Sequence, residues 1–205
     1  GMVFDSDRVD DFTARTVTAP AYLVRLGLTS RLELQVASEG MFSRSVSSPA
    51  ISSRFSGRAD LDLGVKAKLA TEAEAGVNVA VLGTLNLPTG AEGFTSGGYD
   101  PAVKLALGKS LPGGMSVGGN VQLASATAGD ARVLQHALSG VVARAFAGGW
   151  SAFGEVYRLS AGPGTAATSV DGGVARVVGS NVQVDVSVGR GRNGPATDWL
   201  VAFGF

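Results

Sequence analysis

Apolar and polar residues alternate along most of this chain, a rhythm that predicts strands with two unlike faces. From Asp60 to Leu69, one face carries Leu61, Leu63, Val65, Ala67 and Leu69. The other carries Asp60, Asp62, Gly64, Lys66 and Lys68. A helix would mix these two sets. The rhythm returns from Val77 to Leu87, Tyr99 to Leu107, Met115 to Leu123 and Val182 to Val188. Leu32, Leu34 and Val36 show it earlier, and Trp199, Val201, Phe203 and Phe205 close the chain on one parity.

The connections alternate in length. Short ones fall at Thr29-Ser30, 71–75, 109–114, 147–149 and Gly179-Ser180. Longer ones fall at about 42–56, 88–97, 127–130, 161–168 and 190–197. An antiparallel meander places every second connection at the same end, so one end is trimmed and the other elaborated. Eleven strands follow from Ala21 onward. A twelfth near Asp11 to Thr18 either turns at Ala19-Pro20 or extends the strand after it. Residues 1–10 read as an N-terminal tail, in which Gly1 before Met2 resembles a tag-cleavage scar. Residues 11–205 read as a single β-barrel domain.

Two all-β solutions share this pattern. A soluble barrel turns its apolar face inward. A membrane barrel turns it to lipid and lines its lumen with the polar face. Composition favours the second. The polar face is rich in Gly, Ala, Ser and Asn, and only 17% of residues are charged, where a water-facing wall carries more Lys and Glu. Thirty glycines suit many turns and a crowded lumen. Strand segments of ~10 residues match a tilted bilayer crossing. No apolar run reaches the length of a spanning helix, and no basic-then-apolar leader opens the chain; a leader already removed would leave the same sequence. The expected fold is therefore an all-β, antiparallel, up-and-down transmembrane β-barrel of about 12 strands. Lys+Arg 17 balances Asp+Glu 17, which argues against nucleic acid as a partner.

Several segments carry a family likeness. They are Gly27-Leu28-Thr29-Ser30-Arg31-Leu32-Glu33-Leu34, Asp60-Leu61-Asp62-Leu63-Gly64-Val65-Lys66 and Leu85-Asn86-Leu87-Pro88-Thr89-Gly90. Gly97-Gly98-Tyr99-Asp100-Pro101, Phe153-Gly154-Glu155-Val156-Tyr157, Asp171-Gly172-Gly173-Val174 and Val188-Gly189-Arg190-Gly191 continue the order. From about Ala21 to Phe205 the chain resembles the outer-membrane transporters grouped under the name "MetA-pathway of phenol degradation". The resemblance implies a Gram-negative outer-membrane barrel with a channel or transport role, its signal peptide removed. It brings no catalytic residues. Terminal Phe205 also resembles the sorting signal read by the barrel assembly machinery.

Other chemistry is thin. Gly189 to Gly194 spells G-x-G-x-x-G, but Pro195 and a strand follow instead of the helix a phosphate site needs. Gly108-Lys109-Ser110 lacks the first glycine of a P-loop, since Val103 stands there. His136 is the sole histidine and there is no cysteine, so no metal site and no cofactor is expected. A Ser-His hydrolase pair would need His136 beside a serine, and Ser139 has the opposite parity.

Asp60, Asp62, Lys66, Lys68, Asp100 and Lys104 share the inward parity of the membrane reading. Glu155, Tyr157 and Asp185 do too. They either line the lumen electrostatically or pair up to plug it. Trp199, Phe203 and Phe205 are candidates for an aromatic girdle and the C-terminal signal. Arg190 and Arg192, on an outer loop, are candidates for anionic headgroups.

The expected function is passive passage of small solutes, hydrophobic or aromatic ones among them, without enzymatic chemistry. Outer-membrane lipid, lipopolysaccharide and the assembly machinery are the expected surroundings; the solute stays open. The alternatives are a soluble barrel holding a small apolar ligand and an outer-membrane lipid hydrolase resting on His136. The direction in which Leu61, Leu63 and Val65 point separates the first two readings.

Overall fold

Alternating residues become strands throughout the computed structural model, which describes residues 1–9, 11–162, 165–193 and 196–205. Among the described residues fifteen strand segments appear. The first seven are β1 (Met2–Val9), β2 (Phe12–Ala19), β3 (Tyr22–Gly27), β4 (Leu32–Ser38), β5 (Met41–Ser47), β6 (Ser52–Arg58) and β7 (Leu61–Ala70). A four-residue helix, α1 (Glu72–Ala75), leads to β8 (Asn78–Leu87), β9 (Asp100–Leu111), β10 (Met115–Ala128) and β11 (Ala131–Ala145). The last are β12 (Trp150–Ser160), β13 (Ala167–Val178), β14 (Val182–Gly191) and β15 (Trp199–Gly204).

Six of these segments make only three strands of the wall. β2 continues into β3, β4 into β5 and β6 into β7, each across a two-residue break. The breaks lie side by side, because β2 pairs with β5 and β5 with β6 above them, while β3 pairs with β4 and β4 with β7 below. Pro20, which has no N–H for the ladder, sits in the first. At each break the inward parity switches: Glu33 and Gln35 face in below, whereas Phe42, Arg44 and Val46 face in above. A single break would put one strand out of step with its neighbours. Three adjacent ones keep the wall consistent.

Twelve continuous strands result, each antiparallel to its chain neighbours. β1 pairs with β15 on one side and β2 on the other, so the pairings form a closed cycle. Closure leaves no long free edge, the condition for a sheet in lipid.

Two sequence expectations are corrected here. Residues 1–10 are not a tail: Met2–Val9 forms the strand that closes the ring. With Phe4 its one large aromatic and Asp5 and Asp7 nearby, this stretch has little alternation to read. Of the two readings of Ala19-Pro20, the structure takes the second: the strand from Phe12 is an extension of the one after it. The stretch 42–56 is mostly the β5–β6 hairpin, with a short tip between Ser47 and Ser52. Its serines and arginines disguise a strand pattern.

The short-turn end is built for tightness. Gly113 and Gly114, then Gly148 and Gly149, take φ between 73° and 77°, a region closed to most side chains. Long connections gather at the other end.

Outward and inward faces settle the competing architectures. Leu63 and Val65 are 43% and 51% exposed, while Gly64 between them is buried. Ala59 is the only buried hydrophobic residue among those described. The apolar residues coat the outside, so the soluble barrel with Leu61, Leu63 and Val65 pointing in is excluded. Leu61, at the bend, is half-buried but shares their outward parity.

Candidate functional site

The barrel interior collects strand charges of both signs. Asp5, Asp62, Asp100, Glu155, Asp171 and Asp185 all sit on inward parity, as do Lys66, Lys68 and Lys104. Water or paired partners are available there, and lipid would supply neither. Among the described residues, three interior cavities differ in chemistry.

Nearest the wall's middle, Lys104, Glu155 and Tyr157 line a cavity of about 210 Å³ with Asn120, Gln122 and Ser139. Three of the sequence candidates thus meet at one place. Asn120 Nδ2 donates to Ser139 Oγ at 3.0 Å, and Asp171 stands directly across from Glu155 on the next strand.

A second cavity of about 310 Å³ is acidic. Asp60, Asp62 and Asp100 line it with Glu39, Asn86 and Ser96. One of these carboxylates, Asp60, anchors the long connection between β8 and β9. Asp60 accepts the backbone N–H of Gly90 at 2.7 Å and of Ser96 at 3.0 Å. Asp100 accepts the N–H and hydroxyl of Thr127 at 2.8 and 2.6 Å. Asp62 accepts from Asn86 Nδ2 at 3.1 Å. The Thr89 hydroxyl accepts from Leu61 N, and the Thr89 carbonyl from Arg58 Nε, lacing the loop to β6 and β7.

The third cavity, about 650 Å³, lies at the long-loop mouth. Phe42, Val46, Phe55 and Phe94 form its apolar wall, with Arg44, Asp5 and Glu92 at its edges. Phe94 comes from the β8–β9 loop and stacks on Phe42 at 5.8 Å. None of these was readable as a site residue, because Phe42, Arg44, Phe55 and Phe94 all fall in stretches that read as loops. The row Asp5–Thr16–Arg44–Phe55 crosses four neighbouring strands and exists only once their register is known.

Lys66 and Lys68 lie on β7 away from these cavities, Lys66 opposite Glu33 of β4. Asp185 accepts from Gln183 Nε2 at 3.4 Å and packs against Gly204.

On the outer wall, aromatic residues mark both ends. Trp199 lies under the Arg190 guanidinium at 5.0 Å, at the long-loop end. Trp150 carries Arg176 at 5.1 Å, and Phe146 carries Arg144 at 5.4 Å, at the short-turn end. Phe203 meets Phe4 edge-on at 6.3 Å, and Phe205 is 86% exposed.

His136 faces outward and is exposed. Ser160 stands opposite it in register, but its hydroxyl donates to the Gly162 carbonyl, and Ser139 faces the interior. No strand carboxylate among the described residues faces outward to orient an imidazole. Gly194 and Pro195 of the glycine-rich run lie outside the described residues, and Gly108-Lys109-Ser110 is part of β9.

Comparison with solved structures gives the fold a counterpart. The COG4313 outer membrane channel from Pseudomonas putida F1 superposes with a TM-score of 0.67 at 16% identity, over 98% of this chain and 91% of that one. The NanC porin gives 0.61 at 11% identity, over 100% and 98%. The KdgM porin gives 0.57 at 11% identity, over the same shares. No curated protein matches by sequence. The family model described as "Putative MetA-pathway of phenol degradation" matches residues 4–205. An antiparallel barrel coated with apolar residues, filled with polar ones and matched to that family from β1 to its last residue, the chain belongs to the MetA-pathway of phenol degradation family.

Proposed function

We propose that this protein is a passive channel in the outer membrane of a Gram-negative bacterium, carrying small solutes without covalent chemistry. The observation behind this reading is the inverted wall, with Leu63 and Val65 out and Asp62, Lys66 and Lys104 in. A barrel that buries its charges and exposes its aliphatics is stable in lipid and not in water. The fold shared with outer-membrane channels supports the same reading. Insertion by the barrel assembly machinery, with Phe205 as part of the recognised terminus, belongs to it.

The mouth cavity supports hydrophobic or aromatic solutes as cargo. Phe42, Phe55 and Phe94 offer ring faces, and Arg44 offers a cation beside them. A planar solute stacks there before meeting the polar interior.

Reconstitution in a planar bilayer tests the function. Stable conductance is expected, with Lys66→Glu shifting the reversal potential towards cation selectivity. Liposome swelling should be faster with small aromatic solutes than with sugars of equal mass. A protein that stays monomeric in buffer without detergent, or gives no conductance when folded in bilayers, would sink the proposal.

A further inference from the structure

The strand carboxylates and most of the strand arginines occupy opposite faces of the wall. Every carboxylate on the described strands has inward parity. Most strand arginines do the reverse, with Arg25 and Arg44 the inward exceptions: Arg8, Arg15, Arg54, Arg58, Arg158 and Arg190 are exposed on the outer wall towards the long-loop end. At the short-turn end the exposed outer pair is Arg144 and Arg176, both engaged with aromatic rings. A merely solvated rim would mix both signs.

Part of this cationic surface follows a single cross-strand row. Arg190 of β14 pairs with Trp199 of β15, which pairs with Ser6 of β1. Ser6 pairs with Arg15 of β2, Arg15 with Ser45 of β5, and Ser45 with Arg54 of β6. The adjacent row Asp5–Thr16–Arg44–Phe55 points into the mouth cavity, so this row points out. Arg190 is held over the indole, and Arg54 is steadied by Nε donating to Ser43 Oγ at 3.0 Å.

The row also climbs. Arg190 lies eight residues along its strand from the short-turn end at Val182, and Arg54 sixteen residues from the corresponding end at Ala70. With strands tilted ~35–45° and ~4.8 Å apart, the five steps rise roughly 15 Å. Phospholipid phosphates form one thin layer and would meet only the lowest arginine. A thick headgroup bearing phosphates at several depths, with sugar hydroxyls between them, meets the whole row, and Ser6 and Ser45 stand between its arginines.

Resting on the membrane reading, we infer that the outer row Arg190–Arg15–Arg54 is a binding surface for the phosphorylated sugar headgroup of an outer-leaflet glycolipid, lipopolysaccharide. Guanidinium groups match phosphate bidentately, and the absence of outward strand carboxylates among the described residues leaves nothing to repel it.

The test compares wild type with the triple variant Arg15→Gln/Arg54→Gln/Arg190→Gln. Both are extracted in mild detergent, and bound lipopolysaccharide is counted by native mass spectrometry. Removing three surface cations should weaken retention roughly 100-fold, leaving conductance unchanged. Delipidated wild type is then offered lipopolysaccharide, dephosphorylated lipopolysaccharide and phosphatidylglycerol. A rise in Tm is expected with the first alone. Equal retention by the triple variant, or an equal rise with either other lipid, overturns the inference. If the triple variant fails to fold, the wild-type lipid series decides alone. Wild-type conductance is scored separately, so a failed channel reading is distinguishable from a failed lipid site.

Discussion

Phe94 of the β8–β9 loop stacks on Phe42 of β5, ring planes 16° apart and centroids 5.8 Å apart. The contact bends a long connection onto the inner face of the barrel mouth. Gly57, paired with Phe42 on the next strand, makes room for it: a Cβ there would strike the Phe94 ring. Removing the ring by Phe94→Ala should loosen the loop and widen the mouth, forfeiting about 0.5–1.5 kcal/mol of aromatic pairing. Gly57→Val should displace the same ring without deleting it. Larger, noisier single-channel currents in both variants are the expected readout.

Asp60 holds the same loop from below, through the N–H groups of Gly90 and Ser96. Asp60→Ala leaves two donors unpaired, at about 1–3 kcal/mol each where they stay out of water. Hydrogen exchange should accelerate across 88–99 and stay slow in β9 to β12. Uniform acceleration would show that Asp60 supports the barrel and not its loop.

The cavity lined by Lys104, Glu155 and Tyr157 should respond to charge. Lys104→Glu changes the lining by two units. At ~10 Å in water each unit is worth roughly 0.4 kcal/mol, favouring cations and opposing anions alike, so the cation-to-anion permeability ratio should rise about sixteenfold. Reversal potentials in a salt gradient measure it.

Val121 sits mid-strand on the outer wall and is 49% exposed. In lipid, Val121→Arg should cost about 2–4 kcal/mol, read from urea unfolding in bilayers. In a water-soluble barrel the same outward change would be nearly silent.

The short-turn end carries a pH-sensitive tie. The Thr71 backbone N–H donates to Glu74, with the Thr71 side chain and then Arg31 adding to it, and together they hold the Glu74 carboxyl below its ordinary range. A lowered folded-state value means that this stabilisation is present above the unfolded value and is lost as pH falls through the folded one. Amides of 71–76 should therefore exchange faster below the ordinary glutamate range. Glu74→Gln should remove that pH dependence at neutral cost to the rest of the fold.

Much of the wall is visible in the residues themselves. From Leu32 to Val36 and from Asp60 to Leu69, strict alternation exposes both the strand and its two faces. The pattern fails where parity switches. Phe42, Val46 and Phe55 are inward above the breaks, whereas Leu34 and Leu63 are outward below them, so no single alternation spans the join. Met2–Val9 fails for a different reason: its strand character comes from two waiting partners, β15 and β2. The interior candidates share this split. Lys104, Glu155 and Tyr157 are recognisable by parity, but Arg44 and Phe94 are not, since nothing local marks a loop residue that folds back onto a distant strand.

By itself the sequence determined an antiparallel barrel with apolar and polar faces, because period-two alternation is a local consequence of the pleat. It also supplied the family likeness. Tertiary structure alone decided which face points out, how the three breaks keep the wall in step, and that β1 closes the ring. It alone placed Arg190, Arg15 and Arg54 on one outer row. Those facts depend on register between strands far apart in the chain, and register is a property of pairing that no single strand carries.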